Sequence, residues 1–169
     1  TSTNRIWEIL MERYEFISYV KDKDEKNSVL KFLRNEYFTV LKPGVHGVGV
    51  FALRDIPKGI DPFPLYKHPL SKDGNKWFQV NFKRNELIGV NPNVIQYHAT
   101  RVFHPKDEIV VTLSNEMHKL MYLNHSESNN LNKDESNLSG LVTNREIKEG
   151  EELLQNYHHF EHWESLIDG

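Results

Sequence analysis

Apolar residues recur at helical spacing through the first part of the chain. Ile6, Ile9, Leu10, Tyr14, Ile17 and Val20 follow a capping Ser2 or Thr3, and the pattern predicts an amphipathic packing helix. The charged run Lys21-Asp22-Lys23-Asp24-Glu25-Lys26-Asn27 interrupts it and reads as a solvated turn, with a short helix around Val29 to Leu33 beyond. From Glu36 the period changes. Tyr37-Phe38-Thr39-Val40 reads as a strand ending at Lys42-Pro43-Gly44, and Val48, Val50 and Phe51 continue as a strand out of the glycines that follow. Arg54-Asp55-Ile56-Pro57-Lys58-Gly59 then carries the turn residues that close a hairpin-like unit.

Between Ile60 and Asn115 the pattern is weaker. Pro62, Pro64 and Pro69 exclude regular structure around them, while Trp77 to Phe82 alternates like a strand and Glu108 to Leu113 gives another. Met117, Leu120, Met121 and Leu123 then lead straight into the polar stretch Asn124-His125-Ser126-Glu127-Ser128-Asn129-Asn130, and a buried approach to a polar cluster is a common way to build a site. Asn132 to Ser139 reads as an exposed loop. Leu141-Val142-Thr143, the turn at Lys148-Glu149-Gly150, and Glu152-Leu153-Leu154 make a strand, turn, strand unit. Short strands with few helices predict a β-rich α+β fold.

Composition narrows the function classes. A chain of 169 residues, 38% of them hydrophobic, suits one globular domain burying roughly 70% of its unfolded surface. Its 21 basic residues against 24 acidic ones give a net charge of −3, so nothing global favours nucleic acid, and a basic partner fits better. The absence of cysteine removes disulfides, thiolate zinc clusters and cysteine nucleophiles together. No apolar run approaches the ~20 residues of a membrane span and no signal peptide pattern opens the chain, so a soluble, intracellular protein without a membrane partner is expected. Oligomeric state is not legible.

Several motifs suggest chemistry and are weighed against plainer readings. Gly44, Gly47 and Gly49 are close enough for backbone to approach a ligand, or simply to turn. They do not form a dinucleotide fingerprint, because the chain continues as strand and the third glycine is missing. Asn124-His125-Ser126 and Asn137-Leu138-Ser139 spell glycosylation acceptors, but nothing else indicates secretion. His158 and His162, four apart with His159 and Glu161 beside them, have metal-ligand spacing. With nine histidines in the chain, a solvated histidine-rich tail is favoured, and no metal is assigned.

Taken together, Gly47-Val48-Gly49-Val50-Phe51-Ala52 with Asp55-Ile56-Pro57-Lys58-Gly59, Asn124-His125-Ser126 with Asn130, and Arg145-Glu146-Ile147-Lys148-Glu149-Gly150-Glu151-Glu152-Leu153 ending at Tyr157 resemble the SET-domain protein lysine methyltransferases. The resemblance spans about residues 36 to 160, with the motifs in the family's order. It implies a SET-domain fold of small β-sheets with knot-like C-terminal threading, in which the segment before Tyr157 passes through a loop near Asn124 and His125. The expected organisation is a helical N-terminal flank over 1–35, the SET domain over 36–160 and a helical C-terminal tail over 161–169.

The function implied is S-adenosylmethionine-dependent methylation of a lysine side chain in a protein. A histone tail is the fitting example, and a nuclear location would follow from it. The alternative is a catalytically inactive SET-like module that binds peptide or cofactor. By family position, Gly47, Val48, Gly49, Asn124 and His125 bind the cofactor, Asn124 through its side chain to the amino-acid end and His125 mainly through its backbone to the adenine. Tyr157 is the catalytic residue, and Tyr122, Gln155 and Phe160 line the substrate channel. The plainer reading of Tyr157 is a core tyrosine; that of Phe160, with Trp163 and Ile167, is packing by a terminal helix. Ser126 and Asn130 hold the loop in shape. Where the family often has Phe or Tyr two residues before the final tyrosine, this chain has Gln155, which leaves the degree of methylation open. An acidic rim of Glu127, Asp134, Glu135, Glu149 and Glu151 suits a basic substrate.

Overall fold

The computed structural model describes residues 17–20, 22–63, 77–99, 107–113 and 116–159, with 17–20, 77 and 78 described by backbone alone. In chain order the strands are β1 (Ile17–Val20), β2 (Thr39–Gly44), β3 (Gly47–Ala52), β4 (Trp77–Lys83), β5 (Glu108–Leu113), β6 (Asn124–His125), β7 (Leu131–Lys133), β8 (Leu141–Thr143) and β9 (Glu152–Gln155). The α-helices are α1 (Lys23–Asn35) and α2 (Pro92–His98), with short 3-10 helices at Arg84–Leu87, Met117–Tyr122 and Tyr157–His159. This is a β-rich α+β architecture of small sheets, as expected. The chain divides into two compact units, Thr1–Glu36 with Leu65–Asn115 and Tyr37–Pro64 with Glu116–Gly169.

The first unit holds a sheet in the order β1-β4-β5, with β1 parallel and β5 antiparallel to β4. Two expectations for the front of the chain are corrected here. Ile17 and Val20 belong to β1, not to a helix, because pairing with β4 takes up their backbone. The Ile6 to Tyr14 part of that helix lies outside the described residues. The charged run is no turn but the start of α1: Asp22 is its N-cap and accepts from the Glu25 N–H at 3.4 Å. Asp24 and Glu25 then sit in the first turn, where negative charge suits the helix dipole. The helical flank expected over 1–35 therefore contains a strand as well as a helix. Helix α2, opened by an Asn91 cap and Pro92, is an element the periodicity had not indicated.

The second unit contains the sheet β2-β3-β9-β6 and the β7-β8 hairpin. Its core gathers Val50, Ala52, Ile56, Phe63, Leu123, Leu131, Leu141, Ile147 and Leu153, from segments far apart in sequence. Strands β8 and β9 form no unit with each other. Strand β8 pairs with β7, whereas β9 is inserted antiparallel to β3 and parallel to β6. Asn132 and Lys133, expected in a loop, are in β7; the exposed turn begins after them.

Candidate functional site

Strand β9 lies between β3 and β6, with Phe51 opposite Glu152, Val50 opposite Leu153, Asn124 opposite Leu154 and His125 opposite Gln155. A parallel pairing this short is weak alone, and the loop after β6 reinforces it. The Ser126 N–H donates to the Gln155 carbonyl at 2.9 Å, and the Asn130 N–H to the Leu154 carbonyl at 3.1 Å. Asn130 is fully buried. Its Nδ2 donates to the Glu152 carbonyl at 2.8 Å and its Oδ1 accepts from the Leu154 N–H at 2.8 Å, so one side chain satisfies backbone groups that a longer neighbouring strand would otherwise meet. The Asn144 N–H closes on the Asn130 carbonyl at 2.9 Å.

Strands β2 and β3 are joined through Val45 and His46, after which Gly47 takes φ 86°, the left-handed conformation that suits such a turn in a twisted hairpin. Nothing stands within 4 Å of where a Gly47 Cβ would be. At Gly49 the space is filled. A Cβ there would fall inside the Glu152 carboxylate and 3.1 Å from Asn124 Nδ2, so the glycine is what lets these side chains cross the face of β3. Asn124 Nδ2 donates to Glu152 Oε1 at 2.8 Å and to the Val48 carbonyl at 3.3 Å. With both amide hydrogens directed there, Asn124 Oδ1 is the atom left to accept from a ligand's N–H.

His125 and Tyr157 bind each other's surroundings. His125 Nδ1 accepts the Tyr157 N–H at 2.9 Å, which puts the proton of a neutral ring on Nε2. The His125 ring packs against Tyr157 at 5.0 Å between centroids and against His158 at 5.3 Å. The Tyr157 hydroxyl donates to the Leu123 carbonyl at 2.7 Å. Burial pushes this phenol above its ordinary range, so it stays protonated at neutral pH.

The structure thus brings Val48, Gly49, Asn124, His125 and Gln155 onto the adjoining strands β3, β6 and β9, with Tyr157 at the start of the 3-10 helix that follows β9. Tyr122 ends the 3-10 helix just before them and is exposed, and Phe160 lies outside the described residues. Of the acidic rim, Glu151 pairs with Arg145 at 3.0 Å and Glu135 with Lys133 at 3.2 Å, which reduces the charge left for a partner. Sequence reading missed the buried pair Lys119–Glu116 in the second unit. Lys119, 1% exposed, also donates to the Thr39 carbonyl, joining the 3-10 helix before the site to β2. Burial lowers its pKa, with Glu116 pulling the other way. The opposite charges three residues apart inside an apolar run were the available signal.

Comparison with known proteins gives one family: the SET domain model matches residues 47–158. Among solved structures, a Plasmodium falciparum protein provisionally named a histone methyltransferase is 16% identical, the match covering 75% of this chain and 97% of that one with a TM-score of 0.29. So loose a superposition carries no argument. No curated protein matches.

Proposed function

The chain belongs to the SET-domain family, and from that premise we propose that it is a protein-lysine N-methyltransferase using S-adenosylmethionine. The observation that carries the proposal is the double tie between the two distant motifs: Tyr157 N–H to His125 Nδ1, and Tyr157 hydroxyl to the Leu123 carbonyl beside Asn124. It supports the reading in which a terminal segment threads knot-like past the Asn-His loop to complete one site, with the working domain over 36–160.

The residues fit the cofactor's chemistry. The space above Gly49 is already taken by Glu152 and Asn124 side chains, while Gly47 leaves its own side open. Asn124 Oδ1 would accept from the ammonium of the amino-acid end, the Gly47-Val48-Gly49 backbone would flank the ligand, and His125 would meet the adenine through its backbone. When bound, S-adenosylmethionine supplies a methyl group on a sulfonium leaving group. The protein's task is then mainly placement, since a displacement at carbon needs donor, methyl and acceptor in line.

A lysine amine attacks only when neutral, and its ordinary pKa is about 10.4. Tyr157 serves this step as an orienting group. Its hydroxyl proton is directed at Leu123, so the phenol oxygen can accept an N–H from the amine and aim the nitrogen lone pair. His125 is no general base here, because its Nδ1 lone pair already holds the Tyr157 backbone. Gln155 and Tyr122 would line the lysine channel, and a lysine in a basic segment such as a histone tail is the proposed substrate class, with a nuclear location in that case.

The test is transfer of labelled methyl from S-adenosylmethionine to core histones and a mixed protein extract. Labelling of lysine that falls about a hundredfold or more in Tyr157→Phe, with cofactor affinity kept within twofold, is expected for a positioned catalytic group. Tight cofactor binding without labelling of any protein would turn the reading to an inactive SET-like module, and absence of both would remove the cofactor assignment.

A further inference from the structure

We propose that Glu152 is the positioning residue that makes this site select a cationic ligand group, acting through Asn124. The inference rests on the cofactor reading above and extends it to a residue outside the recognised Asn-His and tyrosine positions. A side-chain amide is ambivalent: one end donates, the other accepts, and rotation about the last bond exchanges them. At Asn124 that choice decides whether the site presents an acceptor suited to an ammonium or a donor suited to an anion. Here the choice is fixed by neighbours that can only accept, Glu152 Oε1 at 2.8 Å and the Val48 carbonyl at 3.3 Å. Both draw Nδ2 inward and leave Oδ1 for the ligand. The reverse orientation would set Oδ1 against two acceptors and lose both bonds.

Glu152 is also suited to act electrostatically. It is half-buried, and among the described residues no Lys, Arg or His nitrogen pairs with its carboxylate. Its register opposite Phe51, with Gly49 diagonal to it, places the carboxylate over Gly49, which has no side chain to displace it. A negative group held beside an acceptor amide favours an ammonium and disfavours a ligand lacking one.

The experiment is calorimetric binding of two probes to the whole chain: S-adenosylhomocysteine, which carries the amino-acid ammonium, and 5′-methylthioadenosine, which lacks the amino-acid end. Glu152→Gln should weaken the first about tenfold, as loss of a charge-assisted arrangement implies, and leave the second within about twofold. Asn124→Asp should weaken the first at least as much, because it sets two carboxylates against each other. The double variant Asn124→Asp with Glu152→Gln exchanges the amide and the carboxylate between the two positions. It should bind the first probe more tightly than Asn124→Asp alone without regaining parent affinity, because the amide now donates from position 152 and relieves the facing carboxylates, while the carboxylate at position 124 meets the Val48 carbonyl with no proton to give. Equal weakening of both probes by Glu152→Gln, or an exchanged pair that binds no better than Asn124→Asp alone, would overturn the proposal and leave the cofactor reading standing. Failure of the parent to bind S-adenosylhomocysteine would overturn both.

Discussion

Gly49, with its ordinary backbone, separates two uses of a glycine that sequence reading treats alike. Gly47 needs its left-handed φ of 86°, whereas Gly49 needs only to lack a side chain. Gly47→Ala should therefore cost about 1 kcal/mol of stability, through backbone strain in open space. Gly49→Ala should cost the fold little, because the Glu152 carboxylate can swing aside, yet weaken S-adenosylhomocysteine binding about tenfold by releasing Asn124. Thermal unfolding beside calorimetry separates the two. Lys119 makes a different kind of residue-scale prediction. Removing it takes the ion-pair partner from the buried Glu116 carboxylate, so Lys119→Ala should destabilise by about 3–5 kcal/mol, more than a surface lysine would. Its folded pKa is depressed, so the folded state holds this proton less firmly than the unfolded chain. Stability from this group then rises with pH between the lowered value and the ordinary 10.5. Urea unfolding of the parent and of Lys119→Met across that interval should show the difference moving in the parent's favour. Motif residues such as Asn124, His125 and Tyr157 were legible through the resemblance of their stretches to the SET family's motifs, each stretch being weak alone. Lys119 was not, since a lysine within an apolar run reads as an interruption until its partner's position is known.

Among the elements, the legible ones were those whose own sequence decides them. Strands β3, β4 and β5 fall where alternation puts them, β2 begins at Thr39, two residues after the expected Tyr37, and runs on through Pro43 and Gly44, and the turn after β3 closes where Pro57 and Gly59 indicated. What failed were elements decided by neighbours or by caps. Ile17 to Val20 fits either period, and β4 decides in favour of strand. The run after Lys21 seemed too charged for structure, although Asp22 caps it and buried Val29, Leu30 and Leu33 support it from one side. Strand β6 is too short for any periodicity and exists because it pairs with β9, whose backbone Asn130 in turn holds. Asn130→Ala should accordingly cost about 2–4 kcal/mol, because it leaves the Glu152 carbonyl and Leu154 N–H buried without their partner. Asn130→Asp should recover only part, keeping the acceptor for Leu154 and losing the donor to Glu152. Chemical unfolding of the two variants measures both.

For the molecule as a whole, a net charge of −3 with pairing at Glu135 and Glu151 leaves modest long-range attraction for a basic substrate. Raising salt from about 50 to about 500 mM should increase KM for a lysine- and arginine-rich peptide severalfold with little change in kcat, as expected where charge guides encounter more than chemistry. The site itself is made from distant stretches: Asn124 reaches Val48 across 76 positions, and Tyr157 reaches Leu123 across 34. That has a bearing on the order of events during protein synthesis. The β2–β3 hairpin leaves the ribosome early, but β9, which pairs with both β3 and β6, is made after every other described strand. A nascent chain ending at Thr143 holds both glycines, the asparagine and the histidine, yet none of the bonds from Glu152 or Tyr157 that set their geometry. Ligand affinity should therefore switch on abruptly as β9 emerges, rather than grow in proportion to the length translated.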